Sequence, residues 1–290
     1  MKLNFQLFFS AVFLHVVVGD YQFYECGRPY FRPRSELYTH RIVGGSEARP
    51  HSFPWQVQLK LYYTSLRYHT CGGSIIEPST GKKNGSDLIL TAAHCLYDRG
   101  KWSPPEALKI VAGVHNIANP LEPSQNVIRV KRYQAGSYNK YTFENDIALL
   151  LLREVAAYSN HVSPVCLPEN GEALPRNVPC FVTGWGADGE YGKASNLLKQ
   201  VEVPVLPQSM CWQNASPEKT LCAGFMRGKK DACLGDSGSA LVCKIGKQYV
   251  QYGIVSFGHG CGKKSYPGVY TRVSHYVQFI RKAEMKLLNE

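Results

Sequence analysis

The chain has 290 residues, of which 44% are hydrophobic, and it carries a formal net charge of +11 at pH 7. This length and composition are typical of a soluble globular protein with one large or two small domains. Beyond the N-terminal apolar run, no stretch is long and apolar enough to cross a bilayer, so we expect no membrane span there.

The basic residues are scattered over several segments. Such a distribution is typical of an ordinary charged surface, but it also permits binding to an acidic partner such as a sulfated glycan. We predict no nucleic-acid partner and no membrane span.

The N-terminal 41 residues read as two segments that are separate from the folded domain. Residues 1–19 begin with Lys2 and continue as a short apolar run, which predicts a signal peptide and a secreted, extracellular protein. Residues 20–41 are polar, rich in proline and arginine, and show little periodicity, so we interpret them as a pro-segment.

Short β-like segments separated by turn residues follow from Pro54 onward. They fall at residues 55–59, 74–76, 88–90, 108–111, 180–186, 240–243 and 252–256. Strands at this spacing without intervening helices predict a barrel or a sandwich. Near the end, Tyr276, Ile280, Ala283 and Leu287 fall at helical spacing, so we expect a C-terminal helix packed on the second half of the molecule.

A serine between small and acidic residues marks the first candidate site. The order is Gly235-Asp236-Ser237-Gly238, with a cysteine close by. The glycines allow the backbone to approach a substrate carbonyl closely, and the N–H groups of Gly235 and Ser237 could stabilise a developing oxyanion. Alone, this pattern also occurs in ordinary turns.

Two other segments strengthen the case for catalysis. His94 lies beside a cysteine in the segment 91–95, and Asp146 leads directly into the apolar run 147–150. With these flanks and in the order His, Asp, Ser, the chain resembles the chymotrypsin/trypsin family of serine endopeptidases. The resemblance extends from Ile42 to the C-terminal helix.

The resemblance implies an all-β fold of two six-stranded antiparallel barrels, with the active site in the cleft between them and a C-terminal helix. It implies that His94 is the general base and then the general acid, because its pKa lies near neutral. It further implies that Asp146 orients the imidazole and that Ser237 is the nucleophile, with the amides of Gly235 and Ser237 as the oxyanion hole.

The resemblance also implies that the chain is a zymogen. Cleavage at Arg41–Ile42 by a trypsin-like protease would free an amine that pairs with Asp236, because a buried carboxylate needs a partner. The protease domain would then span residues 42–290. Before cleavage, His69 is a candidate partner for Asp236, with simple core packing as the alternative.

Ten cysteines in a secreted chain favour disulfides over metal ligation, and no Cys-x-x-Cys pair supports zinc. The spacing alone leaves the pairing open. The family pattern implies five pairs, of which the first would hold the pro-segment to the domain as a light chain: Cys26–Cys166, Cys71–Cys95, Cys180–Cys243, Cys211–Cys222 and Cys233–Cys261.

Asp231 matches the base of the primary pocket in trypsin-like members of the family. A buried carboxylate there favours a cationic substrate side chain, so we expect cleavage after Arg or Lys. Ala232 stands where many relatives have a hydroxyl that helps to bind lysine. We therefore predict a preference for Arg, whose guanidinium binds Asp231 through two hydrogen bonds.

Two glycines and one short strand complete the predicted substrate site. Gly258 and Gly268 match the pocket walls and leave the pocket open. Ser256, Phe257 and Gly258 are expected to form the edge strand that pairs with the substrate backbone. Phe257 stands where the family often has tryptophan, which should alter subsite preference and preserve activity.

One departure from the family pattern lies directly after the nucleophile. The chain continues with Ser239 and Ala240, where the family usually has glycine and proline. If the backbone at Ser239 needs a positive φ, the serine would be strained by roughly 1–2 kcal/mol, which would lower catalytic efficiency.

Three surface features carry further expectations. Asn84 and Asn214 are candidate glycosylation sites, the first on an expected surface loop and the second weakened by Pro217. In the segment 113–125, Val114 replaces an acidic ligand found in calcium-binding trypsins and Glu122 is the only carboxylate, so we predict no calcium site and no cofactor.

The sequence leaves two other functional classes to be weighed. One is a protease-shaped binding protein, which only Ser239, Ala240 and the positive charge favour, since no triad residue is missing. The other is a chymotrypsin- or elastase-type enzyme, which Asp231 argues against. Expected partners are substrates with Arg or Lys, an activating protease and protein inhibitors.

Overall fold

The computed structural model of the chain describes residues 24–34, 45–81, 84–189, 192–211, 216–228, 233 and 235–289. Several predicted features lie outside these residues, namely the signal peptide 1–19, the cleavage site Arg41–Ile42, the pocket residues Asp231 and Ala232, and the sequon residue Asn214.

The regular secondary structure of the described chain is mostly β-strand. The strands of its first half are β1 (Ser46–Glu47), β2 (Gln56–Tyr62), β3 (Tyr68–Ile75), β4 (Gly85–Thr91), β5 (Tyr97–Asp98), β6 (Lys101–Trp102), β7 (Leu108–Ala112), β8 (Asn126–Ala135) and β9 (Ala148–Ala157). The second half contains β10 (Cys180–Gly184), β11 (Lys199–Glu202), β12 (Thr220–Ala223), β13 (Ala240–Ile245), β14 (Gln248–Phe257), β15 (Gly268–Arg272) and the helix α1 (Val273–Asn289).

Six strands of the first half close into an antiparallel barrel in the order β2-β3-β4-β9-β8-β7. The alternation that the sequence predicts appears only in the second half of β2, where Leu59 and Leu61 are buried and Lys60 and Tyr62 are partly exposed, whereas Gln56 and Gln58 are buried with their apolar neighbours. Closure pairs every strand on both sides, so this barrel has no free sheet edge.

The second half forms a sheet in the order β1-β11-β10-β13-β14-β15-β12. The segment that follows β11 pairs with β12, because Val205 forms an antiparallel bridge with Ala223 and Leu206 N–H donates to Cys222 O at 2.8 Å. The strands β10 to β15 therefore close into a second six-stranded barrel, as predicted. The two-residue β1 adds to β11 as a seventh strand, which the sequence did not indicate.

The helix α1 buries the predicted stripe of Tyr276, Ile280, Ala283 and Leu287. It contacts β8 and β9 of the first barrel as well as β14 of the second. The helix thus packs on both barrels, whereas the sequence was interpreted as placing it on the second alone. Within the described ranges, no helix has both the length and the apolar character that crossing a bilayer requires.

The structure contains the five disulfides that the family resemblance implies, and none of the described cysteines is a free thiol. Two of them brace the segments around the candidate site. Cys71–Cys95 ties β3 to the helical turn Ala93–Leu96, and Cys233–Cys261 ties the serine segment to the loop after β14.

A buried polar network joins the two barrels. Thr183 Oγ1 of β10 donates to Gln56 Oε1 of β2 at 2.7 Å, and Gln56 Nε2 donates to Ser239 Oγ at 3.1 Å. All three residues are almost fully buried. Because each buried polar group needs a partner, the network fixes how the serine segment sits against β2.

Gly72 makes room for the hydroxyl of Ser239. A Cβ at position 72 would lie 1.9 Å from Ser239 Oγ and 3.0 Å from Ser239 Cβ. Ser239 itself is not among the residues with positive φ, so the backbone strain considered for this departure does not arise. The space comes instead from a missing side chain on the neighbouring strand.

We predict that Gly72→Ala lowers the free energy of unfolding by about 1–3 kcal/mol, because overpacking forces the serine segment away from β3. Ser239→Gly in the same background should recover most of this loss. The measurement is chemical denaturation of both variants, with Gly189→Ala as the control, since a Cβ there meets no atom within 4 Å. Equal stability of Gly72→Ala and the parent chain would contradict the prediction.

Candidate active site

His94 and Asp146 form two hydrogen bonds. His94 Nδ1 lies 2.8 Å from Asp146 Oδ2, and the backbone N–H of His94 donates to Asp146 Oδ1 at 2.8 Å. Asp146 is fully buried, whereas 22% of the His94 side chain is exposed. Because Asp146 occupies Nδ1, Nε2 is the ring nitrogen left to exchange a proton with a reacting group.

A third residue completes the environment of the carboxylate. Ser256 Oγ donates a short hydrogen bond to Asp146 Oδ2, and Thr271 Oγ1 donates to the backbone oxygen of Asp146 at 2.7 Å. The sequence assigned Ser256 only to backbone pairing with a substrate. The contact of its side chain with Asp146 depends on how the two barrels meet, and no local sequence signal indicates it.

Local structure explains why the imidazole projects from this position. His94 lies in the single helical turn Ala93–Leu96, in which Ala93, Cys95 and Leu96 are buried. The disulfide from Cys95 to Cys71 holds this turn on β3. With three of four side chains buried in the barrel, only His94 is directed toward solvent.

Opposing effects act on the pKa of His94. Burial lowers it, but the charge of Asp146 and the hydrogen bond to Asp146 raise it, and the net shift is upward from 6.5. The arrangement therefore stabilises the protonated ring, which a base that accepts a proton during a reaction requires.

Ser237 lies in a tight turn that is hydrogen-bonded to β3 and to β14. Gly72 N–H donates to Ser237 O at 2.7 Å, and Gly238 N–H donates to Val255 O at 2.9 Å, one residue before Ser256. Gly238 has a φ of +80°, and a Cβ there would lie 2.3 Å from Thr91 Oγ1. The turn thus fits between β14 and the end of β4, which leads into the turn that carries His94.

Gly235 has a φ of +100°, which only glycine adopts readily. This conformation belongs to the segment that carries the predicted oxyanion donors, the N–H groups of Gly235 and Ser237. The structure therefore places all of the predicted catalytic residues in one region, between the first barrel and the second.

Asp236 directs its carboxylate away from this region and into the protein. Its Oδ1 accepts from Gly186 N–H and its Oδ2 from Cys233 N–H, each at 2.9 Å. A Cβ at Gly184 or Gly186 would lie within 3 Å of carboxylate atoms, so these glycines form a tight backbone enclosure around it. Burial raises the pKa of Asp236 to about 6 despite the two backbone hydrogen bonds and the charge of Lys199, which lower it.

The proposed pairing of His69 with Asp236 is not found. The His69 ring lies beside Cys71, 4.0 Å from Nε2 to Sγ, and burial and the charge of His94 lower its pKa. The Asp236 carboxylate accepts hydrogen bonds from two backbone N–H groups instead. His69 lies on β3 near His94, whose charge acts on its pKa.

The other predicted substrate residues, Ser256, Phe257, Gly258 and Gly268, lie in the second barrel. Ser256 and Phe257 end β14, Gly258 follows it, and Gly268 begins β15 opposite Ala223. Phe257 stacks on Phe143 with ring centroids 4.8 Å apart. The sequence did not indicate Phe143, whose ring adds a second aromatic surface beside the predicted edge strand.

The structure offers one group of possible metal ligands within the described residues: Cys71, His94 and Cys95. Both sulfurs belong to a single disulfide, so they are not available as thiolates. In the segment considered for calcium, Glu122 Oε1 accepts from His115 N–H at 2.9 Å and Oε2 from Asn116 N–H at 2.8 Å. This carboxylate serves to order its own loop.

Asn84 is exposed, but its sequon is not wholly on a loop. Gly85 begins β4, and Ser86 is fully buried, with its hydroxyl donating to Ile76 O at 2.6 Å. The expected surface loop therefore ends at Asn84 itself, because the buried hydroxyl belongs to the strand.

Comparisons with known proteins agree with this geometry. The Trypsin family model matches residues 42–280. The chain is also 38% identical over 263 residues to Transmembrane protease serine 7 of Mus musculus, a match that covers 88% of this chain and 30% of the mouse protein. The chain thus spans less than a third of the length of that relative.

With a family match over most of its length and a hydrogen-bonded His94–Asp146 pair between two β-barrels, the chain belongs to the trypsin family.

Proposed function

We propose that the chain is a secreted proenzyme that, once cleaved at Arg41–Ile42, hydrolyses peptide bonds after Arg and less well after Lys. The observation that carries the catalytic part is the pair of hydrogen bonds from His94 to a fully buried Asp146, beside the turn of Ser237. The protease-shaped binding protein is not favoured, because this arrangement retains every residue that the reaction needs.

In the proposed mechanism, Ser237 Oγ attacks the scissile carbonyl while His94 Nε2 accepts its proton. Asp146 stabilises the imidazolium that forms, and Ser256 fixes the orientation of that carboxylate. The N–H groups of Gly235 and Ser237 stabilise the oxyanion. His94 then donates its proton to the leaving amine, and a water molecule releases the acyl group by the same steps in reverse.

The proposed specificity depends on Asp231 and Ala232, which lie outside the described residues, and on their position in the family pattern. Gly258 and Gly268 would leave the pocket entrance open. The carboxylate of Asp231 would pair with the guanidinium of an arginine through two parallel hydrogen bonds, which a lysine ammonium cannot form.

We expect turnover of matched peptide amides to appear only after cleavage at Arg41–Ile42, with Arg preferred over Lys and with Phe and Val inactive. Ser237→Ala, cleaved in the same way, should lose at least about 10⁴-fold in kcat/KM. The measurement is initial-rate kinetics on the four amides. Equal or faster turnover of the Lys amide would contradict the assigned role of Ala232.

The proposed activation rests on the position of Asp236. Its carboxylate lies against Gly184 and Gly186 at the end of β10, and β1 begins at Ser46 on the neighbouring β11. Only residues 42–44 separate the new amine from Gly45, and three residues span up to about 10 Å. An ammonium delivered there would neutralise a carboxylate that burial disfavours.

We predict that cleavage raises the thermal stability of the Ser237→Ala protein at pH 7, and that the gain shrinks by pH 5. Burial raises the pKa of Asp236 to about 6 in the folded uncleaved chain, from its usual value of 3.8. Above pH 6, ionisation of Asp236 therefore lowers the free energy of unfolding by about 2 kcal/mol, a figure that is reduced because the residue is partly exposed. Below pH 4 this cost is small. The new amine removes this cost only where the carboxylate is ionised.

The measurement is the difference in Tm between cleaved and uncleaved protein at each pH. In Asp236→Asn the difference should no longer depend on pH, whereas Asp188→Asn, which removes an exposed carboxylate, should behave like the parent. A stability gain that is the same at pH 5 and pH 7 would rule out Asp236 as the partner.

The proposed light chain has an extensive attachment to the protease domain. Besides the Cys26–Cys166 disulfide, Gly27 N–H donates to Pro164 O and Gly27 O accepts from Tyr249 N–H, each at 2.8 Å. Further along, the ring of Phe31 stacks on His161. The pro-segment would therefore stay bound after cleavage.

We predict that activated protein migrates as a single band on a non-reducing gel and releases the fragment of residues 20–41 only with reductant. The double variant Cys26→Ser/Cys166→Ser, cleaved in the same way, should release the fragment without reductant under denaturing conditions. Release from the parent protein without reductant would contradict the light-chain assignment.

Secretion, glycosylation at Asn84 and Asn214, an activating trypsin-like protease and protein inhibitors are part of the same proposal. The disulfides favour an oxidising, extracellular environment. The mouse relative is described as a transmembrane protease, so a membrane-attached form of this enzyme is the alternative location. Fractionation of expressing cells and their medium distinguishes the two.

A further inference from the structure

Three basic side chains lie in one line on the outer face of the first barrel. In the antiparallel register, Lys60 of β2 is directly opposite Lys109 of β7, and Lys109 is directly opposite Arg129 of β8. Neighbouring strands lie about 4.8 Å apart, so the line extends about 10 Å across the barrel surface. We call these three residues the cationic row.

Two further cations extend the row. Lys131 is exposed and lies two residues beyond Arg129 on the same strand. Arg153 is exposed and follows Leu152, whose partner Val130 follows Arg129. The positive charge therefore continues along β8 and toward β9.

No described carboxylate neutralises the cationic row. In the part of the chain that the structure describes, its members form no ion pair with a carboxylate. The acidic residues nearest to the row in sequence are Glu106 and Glu122; Glu106 is exposed and forms no described ion pair with the row, and Glu122 contacts His51 and His115 instead. Like charges directly opposite one another in a sheet are destabilising, so the row costs stability in the free protein.

Aromatic rings, rather than carboxylates, accompany the two lysines. The Lys60 ammonium lies 5.0 Å from the ring centre of Tyr68, and the Lys109 ammonium lies 4.8 Å from that of Tyr62. These contacts hold the ammonium groups in fixed positions without removing their charge. Burial, and after it the charge of Lys109, lowers the pKa of Lys60.

We propose that the cationic row, with Lys131 and Arg153, is a binding surface for a sulfated polysaccharide. A regular line of unpaired cations on a rigid sheet is complementary to a stiff chain that carries closely spaced anionic groups.

The closed barrel distinguishes this occupant from an acidic peptide. Since β2, β7 and β8 are each paired on both sides, they offer no backbone N–H or C=O groups to a peptide strand. A peptide would bind through side-chain carboxylates alone and would lose conformational entropy on ordering. A sulfated polysaccharide needs only the charges that the row presents.

The test is binding of the full chain to heparin at 0.15 M NaCl, measured by calorimetry. We expect the triple variant Lys60→Gln/Lys109→Gln/Arg129→Gln to bind at least about tenfold more weakly. The control variant Lys193→Gln/Lys244→Gln/Lys247→Gln removes the same charge from exposed positions of the second barrel and should stay within about twofold of the parent. Equal weakening of both variants, or of neither, would overturn the proposal.

Two further measurements separate the possible causes. Thermal unfolding of the row variant should give a Tm equal to or above that of the parent, because a like-charge repulsion has been removed. If its Tm falls, the single variant Lys109→Gln replaces it, with about threefold weaker binding expected. Rising NaCl should weaken parent binding, because salt screens exposed charges.

The nature of the ligand is tested with desulfated heparin and with polyglutamate of equal length. We expect both to bind the parent chain at least about tenfold more weakly than heparin. Polyglutamate binding that equals heparin binding and is lost in the row variant would identify the surface as a site for acidic polypeptides, and would overturn the assignment to a sulfated polysaccharide.

Discussion

The fully buried carboxylate of Asp146 is the group on which the arrangement of the two barrels depends. Taking an ionised carboxylate out of water is costly unless hydrogen bonds replace its hydration. Here the donors are the backbone and ring of His94 from the first barrel and the hydroxyl of Ser256 from the second. The carboxylate of Asp146, whose charge raises the pKa of His94, therefore also links the first barrel to the second.

Close backbone approach is the second constraint on the site. Ser237 lies in a turn whose neighbours Gly235 and Gly238 have positive φ, and Gly238 leaves no room for a side chain against Thr91. Gly72 has the same function for the hydroxyl of Ser239. The departure from the family pattern at Ser239 is thus accommodated by space and by a hydrogen bond from Gln56, without backbone strain.

Asp236 lies one residue before Ser237, and its carboxylate has different hydrogen-bond partners from that of Asp146. Asp146 accepts hydrogen bonds from the backbone and the ring of His94, whereas the described hydrogen-bond donors to Asp236 are two backbone N–H groups, and burial raises the pKa of Asp236 to about 6. A carboxylate held in this way favours any cation that can reach it. The proposed activation uses this imbalance, since only three residues would separate Ile42, the chain end created by cleavage, from the start of β1 at Ser46.

The sequence by itself determined the features that depend on neighbours in the chain. The alternation of apolar and polar residues predicted the strands, and the spacing of Tyr276, Ile280, Ala283 and Leu287 predicted the helix. The residues that flank His94, Asp146 and Ser237 marked the candidate site. These signals are local, because side-chain direction repeats every two residues in a strand and every 3.6 residues in a helix.

Only the tertiary structure decided which distant groups meet. It directed Ser256 to Asp146, kept His69 away from Asp236 and placed the helix against both barrels. It also aligned Lys60, Lys109 and Arg129, which are scattered in the sequence, into one row. Each of these contacts depends on strand register and on the fit of one barrel against the other, and those are set by packing over the whole molecule.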